Sequence, residues 1–173
     1  MATSSWREKL AAYRHLPQVK PIPEPLRARL GEGRMLVPSP LDVDAAMRRV
    51  PAGRWTTVRA LAADMAQAQG ADVGCVVTTG IFATLVARAA DEAEQLAEAQ
   101  GAGAEQPDGT PYWRTLKADG SLNPKYPGGV ERQMQRLEAE GHVIEQQGRL
   151  LRVQDPAVPA PVPRPRRRGV SAG

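Results

Sequence analysis

The sequence predicts a mainly α-helical fold with a small β element (α+β), and three observations predict it. Aromatic residues make up only 4% of the 173 residues, with a single Phe, so the core has to be built mainly from Ala, Val, Leu and Met, which favours helices. Val130, Met134 and Leu137 recur at i, i+4 and i+7 while Glu131, Gln135 and Glu138 fall on other faces, and Gly141 supplies a stop. After that helix, His142 to Val153 reads as two short strands around Gln147-Gly148, a hairpin or wing.

The length suits one domain with extensions: an arm at 1–38, a domain at 39–153 and a tail at 154–173. In the arm, a short helix is expected around Trp6 to Tyr13. Four prolines between Leu16 and Pro25 then forbid a continuous helix. A second short helical piece ends at Gly31-Glu-Gly-Arg34, and the apolar Met35-Leu36-Val37 predicts that the end of the arm is packed.

Ser39-Pro40-Leu41-Asp42 is a helix start, with Ser39 as N-cap and Pro in the first position. This helix is expected to run to about Val50 and to bury Leu41, Ala45 or Ala46, and Val50. Pro51 to Arg54 ends it. Thr57 is placed to cap a following run in which Val58, Leu61 and Met65 share a face.

A break at Gln69-Gly70-Ala71 precedes Asp72, placed to cap another helix through Val73 to Val77. Helix, glycine turn, helix is the pattern of a helix-turn-helix, whose second helix is offered to a DNA groove. Thr78-Thr79-Gly80 then leads into an Ala/Glu-rich helix from Ile81 to about Gln100. Its apolar side is read as Ile81, Leu85, Ala89 and Ala93 or Leu96, with Asp91, Glu92, Glu94 and Glu98 elsewhere. Residues 101–109 read as a flexible linker, and from Pro156 onward a run with Arg164, Arg166, Arg167 and Arg168 reads as a disordered basic tail.

One cysteine leaves no internal disulfide, and no apolar run is long enough for a secretion signal or a membrane span, so a reducing cytoplasm is expected. His15 and His142, far apart, with one thiol do not supply a zinc ligand set, and no cofactor is expected. The net charge of +4 is compatible with nucleic acid.

The chain is organised around Pro111-Tyr112-Trp113-Arg114, a turn at Asp119-Gly120, the loop Tyr126-Pro127-Gly128-Gly129, and the helix that follows. Tyr112 and Trp113 read either as a pocket that stacks a nucleobase or as core residues of an aromatic-poor protein. Arg114 reads as a phosphate ligand or as the partner of an internal carboxylate. Cys75 reads as a small buried hydrophobe or as a thiol activated by a helix N-terminus.

This segment resembles the active-site region of alkylguanine-DNA alkyltransferases and, more closely, of the alkyltransferase-like proteins. The enzymes read Pro-Cys-His-Arg, a Gly, a Tyr-Ser-Gly-Gly loop and a helix. The resemblance spans about 40–141 and is strongest at 111–141; Pro51-x-Gly53-Arg54-x-Thr-Thr57 resembles the family's lead-in to its helix-turn-helix. It implies a winged helix-turn-helix domain binding double-stranded DNA, a pocket of Tyr112, Trp113, Arg114, Tyr126, Gly128 and Gly129, an internal role for Arg114, and the 80–100 helix as an insertion. Arg54, Thr57, Arg59, Val73, Lys117 and Lys125 are the expected DNA-facing residues.

Four departures bear on mechanism. Tyr112 stands where the enzymes carry the acceptor cysteine, and Trp113 where they carry histidine. A phenol of pKa about 10 beside an indole does not replace a thiolate activated by a base, so no alkyl transfer is expected. The family's arginine finger aligns with Ala71 and its phosphate-pushing tyrosine with Val58, which removes the wedge and the lever of nucleotide flipping. The leading expectation is a non-enzymatic DNA-binding protein concerned with damage. The alternatives are an interaction module that docks a protein partner through the acidic inserted helix, which would face away from DNA, and, remotely, an enzyme using Cys75.

Overall fold

Ser39 shows how local chemistry sets the helices. Its hydroxyl accepts from the backbone N–H of Asp42 at 3.1 Å while the Asp42 carboxylate accepts the N–H of Ser39 at 3.0 Å, a reciprocal cap that starts a helix at Pro40. The same device at Ser5 and Glu8 starts the first helix. The structure, a computed structural model, describes residues 3–101 and 109–154. The basic tail and most of the linker lie outside the described residues.

Helices α1 (Trp6–Ala11), α2 (Glu24–Leu30), α3 (Pro40–Arg48), α4 (Val58–Ala68), α5 (Val76–Ala99) and α6 (Gly129–Ala139) alternate with short strands. Strands β1 (Gln18–Pro21) and β2 (Arg34–Val37) pair antiparallel, and β2 pairs in parallel with β4 (Val73–Gly74). Strand β3 (Thr56–Thr57) pairs in parallel with β5 (Thr115–Leu116), and β6 (Val143–Gln147) with β7 (Leu150–Gln154) forms a hairpin. The hairpin matches the sequence reading, with Gly148 at φ 63 in its turn. The fold is α+β, as expected.

The larger core gathers Leu10, Leu36, Val43, Met47, Leu61, Phe82 and Val86 with Tyr112 and Tyr126. A smaller one forms around Leu116, Leu122 and Leu137, covered by Trp55, Val130, Met134 and the hairpin residues Ile144, Leu151 and Val153. Trp113 packs against both and so joins them. Leu10 and Leu36 bring the N-terminal 38 residues into the larger core.

Val58, Leu61, Met65 and Leu137 are buried as their periodicity predicts, and Met134 is half-buried. Four expectations are corrected. Leu41 is 54% exposed, because the cap at Ser39 phases α3 so that Val43, Ala46 and Met47 turn inward. Asp72 caps no helix: its carboxylate accepts the N–H of Arg34 at 2.8 Å, and Val73-Gly74 is drawn into a strand by the edge that β2 offers.

The break at Thr78 to Gly80 does not exist. Cys75 is the N-cap of one 24-residue helix, so the second helix of the helix-turn-helix and the Ala/Glu-rich helix are continuous. Within α5 the buried face is Thr79, Phe82, Ala83, Val86 and Ala87, whereas Ile81 and Leu96 are 56% and 59% exposed. The only Phe in the chain sets that phase.

Candidate nucleic-acid interface

Tyr112, Trp113 and Arg114 form a 3-10 turn after Pro111, and β5 follows directly. The aromatic rings interlock edge to face: Tyr112 meets Trp113 at 5.5 Å between centroids and Tyr126 at 5.4 Å. Tyr126 is buried and donates its hydroxyl to the carbonyl of Thr115 at 2.9 Å. Tyr112 is 1% exposed, and its hydroxyl has no hydrogen-bond partner among the described residues. Burial raises the pKa of both phenols, so both stay protonated and non-nucleophilic at neutral pH. A base reaches the Tyr112 ring only if its cover moves.

One side of that cover is fixed. Arg114 donates to Glu140 through Nη2 at 2.6 Å and Nε at 2.9 Å, and through Nη1 to the carbonyl of Val50 at 2.8 Å. Glu140 also accepts from Trp113 Nε1 at 3.2 Å and from the N–H of Gly53 at 3.5 Å. Burial alone would raise the Glu140 pKa, but the hydrogen bonds from Arg114 and Trp113 and the Arg114 charge outweigh it and hold the carboxyl below the usual range. Arg114 therefore has an internal carboxylate partner.

Gln133, 1% exposed, completes this side: its carbonyl accepts the N–H of Asn123 at 2.7 Å and its amide donates to the carbonyl of Trp113 at 3.1 Å. Neither Glu140 nor Gln133 stands out in the sequence. Gln133 does carry one signal, since Val130, Gln133 and Leu137 fall within one helical face.

The other side of the cover is ionic. Arg132 Nη1 meets Asp91 Oδ1 at 2.8 Å, and Arg136 Nη2 meets Glu94 at 2.7 Å, so α6 is tied to the acidic half of α5. Arg136 also lies over the Trp113 ring at 4.5 Å and the Tyr112 ring at 5.7 Å. Glu92 accepts the N–H of Trp6 at 2.9 Å. Three of the four acidic residues that the sequence assigned to an outward or partner-binding face are thus engaged within the chain, and Glu98 remains exposed. The sequence could not show this, because the pairs join residues about 40 positions apart.

The expected DNA-facing residues divide into groups. Arg54 and Arg59 are exposed on either side of β3, and the pairing of Thr57 with Leu116 brings Lys117 to the same end as the start of α4. Thr57 is spent as a cap, accepting from the N–H of Ala60 at 3.1 Å. The expected helical placement of Val73 is corrected: it lies in β4 opposite Met35, ahead of the start of α5. Lys125 sits apart, on a surface cleft of about 480 Å³ lined also by Trp6, Arg88, Asp91, Gln95 and Tyr126. Cys75 is half-buried, with its Sγ 3.1 Å from Thr78 Oγ1.

Helix α4 is approached closely by β4 at Gly74 and is touched by α5 at Gly80. A Cβ on Gly74 would lie 2.1 Å from the carbonyl oxygen of Ala62, and one on Gly80 3.6 Å from Val58 Cγ1. Beside that crossing, Val77 and Ile81 on the first two turns of α5 are 71% and 56% exposed. Val58 itself is buried, and Ala71 packs on the core. Among the described residues no cluster of three or more His, Cys, Asp or Glu is arranged to hold a metal, and no helix is long and apolar enough to cross a membrane.

No family model matches the chain, and no curated protein matches it. Among solved structures it is similar to S. pombe Atl1, whose crystal structure is of a complex with damaged DNA containing O6-carboxymethylguanine. The two are 18% identical, with 66% of this chain and 87% of that chain covered at a TM-score of 0.42.

Proposed function

We propose that this chain is a non-enzymatic protein of the alkyltransferase-like kind that binds duplex DNA through its α4–turn–α5 unit and inspects it for damage. The observation that carries the reading is the contact of Gly80 on α5 with Val58 on α4, which sets the exposed Val77 and Ile81 beside the start of α4, where Arg59 is exposed and to which the β3–β5 pairing brings Lys117. A helix with an uncharged face flanked by cations suits a groove between two phosphate backbones. The motif order from Pro111 to Gly129 supports the same reading. Engagement of Asp91 and Glu94 by α6 removes part of the repulsion that α5 would otherwise present to phosphates.

Binding is expected without the family's wedge and lever, since Ala71 and Val58 are packed. The test is a salt series of binding to plain, mismatched and alkylated duplexes. Duplex binding with a salt slope of several units and modest discrimination among the three supports the reading. Binding no different from that of an unrelated protein of equal net charge sinks it.

A further inference from the structure

Arg132 and Arg136 stand one turn apart on α6, and two carboxylates of α5 meet them: Arg132 at 2.8 Å from Asp91 and 3.4 Å from Glu94, Arg136 at 2.7 Å from Glu94. Both arginines are positioned by what surrounds them. The stem of Arg132 crosses Gly128, where a Cβ would lie 2.5 Å from its Cδ and where φ is +76, so only glycine fits the loop beneath it. Arg136 is laid on the Trp113 ring at 4.5 Å. Below them lies the buried Tyr112 hydroxyl, which no group hydrogen-bonds among the described residues although all four charged side chains act on it.

Two guanidinium groups held side by side bind phosphate oxygens in the same geometry as carboxylate oxygens. The present partners are exchangeable, because Arg132, Arg136 and Glu94 keep 32%, 22% and 37% of their side chains exposed and such pairs are weakened by water and salt. We infer that Arg132 and Arg136 form a phosphodiester-binding site that Asp91 and Glu94 occupy in the free chain, and that a DNA strand takes the site by displacing these carboxylates. Arg136 stays on the Trp113 ring while the carboxylates leave, so the exchange needs no opening of the core. The inference rests on the duplex-binding reading and adds a second contact zone to it, distinct from the cations beside β3.

The experiment compares the full chain with its Asp91→Asn, Glu94→Gln double variant, which keeps shape and drops charge. Binding of both to a plain fluorescent duplex is measured across a salt series. The double variant is expected to bind about fivefold tighter or more at low salt, with a slope steeper by up to about two units. That gain disappears when Arg132→Gln and Arg136→Gln are added. Equal or weaker binding overturns the site, as does a gain that survives loss of both arginines, which is what removing distant negative charge would produce.

If the double variant does not fold, Glu94→Gln alone carries the same comparison. If no form binds duplex, the duplex reading fails, and inorganic tripolyphosphate followed through the guanidinium NMR signals of Arg132 and Arg136 decides the site. Signals that move more in the amide variant than in the parent support it, and signals that stay in both overturn it.

Discussion

Arg114 and Glu140 join the two ends of the central segment, with Nη2 and Nε both on the carboxylate at 2.6 and 2.9 Å and each side chain 15% exposed. Because Arg114 also holds the carbonyl of Val50, and Glu140 also holds Trp113 and Gly53, the pair ties the end of α3, the 3-10 turn and the end of α6 into one unit. Removing one partner leaves a largely buried charge with its neighbours unsatisfied. Arg114→Ala is expected to lower unfolding free energy by about 2–3 kcal/mol. Glu140→Gln should cost less, because the amide oxygen still accepts. Urea unfolding of the two variants checks the order.

The same carboxylate makes stability depend on pH. The folded pKa of Glu140 lies below its ordinary value of 4.5, so its stabilisation is fully present above that value and is lost as pH falls through the folded pKa. Asp119, held down by Ser121, Lys117 and Arg152 against its own burial, acts in the same direction below 3.8. Melting temperature is expected to fall more steeply below about pH 4.5 for the parent than for Glu140→Gln. Parallel curves would show that Glu140 does not titrate differently on folding.

Gly74 in β4 lies against the backbone of α4. An alanine Cβ would stand 2.1 Å from the Ala62 oxygen and 2.6 Å from its carbonyl carbon, both backbone atoms that cannot rotate away. Gly74→Ala is therefore expected to destabilise by about 3 kcal/mol. Gly129→Ala provides the contrast: at φ +69 nothing lies within 4 Å of its Cβ, so the cost is only the conformational strain of about 1 kcal/mol. Thermal unfolding that ranks these two in the opposite order would contradict the α4–β4 packing.

What was legible in the sequence is what local chemistry decides. The caps at Ser39 and Thr57, the face of Val58, Leu61 and Met65, and the final hairpin all depend on residues within a few positions of one another. Pairing between distant segments was not legible. Two-residue strands such as Val73-Gly74 and Thr56-Thr57 exist only because β2 and β5 arrive beside them, and nothing in those dipeptides announces it. The site divides the same way: Pro111 to Gly129 stood out as a motif, whereas the ionic cover did not. Asp91 and Glu94 on a helix read as a solvated face until α6 is folded against them.

The sequence resemblance sets Tyr112 against the acceptor cysteine of the alkyltransferases, and burial keeps its hydroxyl protonated. Incubation with duplex carrying labelled O6-alkylguanine is expected to leave residue 112 unmodified at neutral pH. Label recovered on a Tyr112 peptide by mass spectrometry would refute this. Tyr112→Cys is expected to remain inactive as well, because Trp113 supplies no base to ionise the thiol.

Arg59 and Lys125 distinguish the two proposed DNA contact zones. Arg59 is exposed on the first turn of α4, beside the crossing of Val58 with Gly80 near the start of α5. Lys125 lines the cleft with Arg88, Asp91 and Gln95, about 16 Å further along α5 at 1.5 Å per residue. If the groove receives the first turns of α5, Arg59→Glu removes a phosphate contact and lowers the slope of log affinity against log salt by about one unit. If DNA touches the first turns of α5 alone, without the second zone at Arg132 and Arg136, Lys125→Glu weakens binding only through net charge, with a smaller change in slope. Equal loss from both substitutions would mean that DNA runs along the whole of α5, past Arg132 and Arg136. A loss confined to Lys125→Glu would move the interface to the cleft and away from the α4–turn–α5 unit.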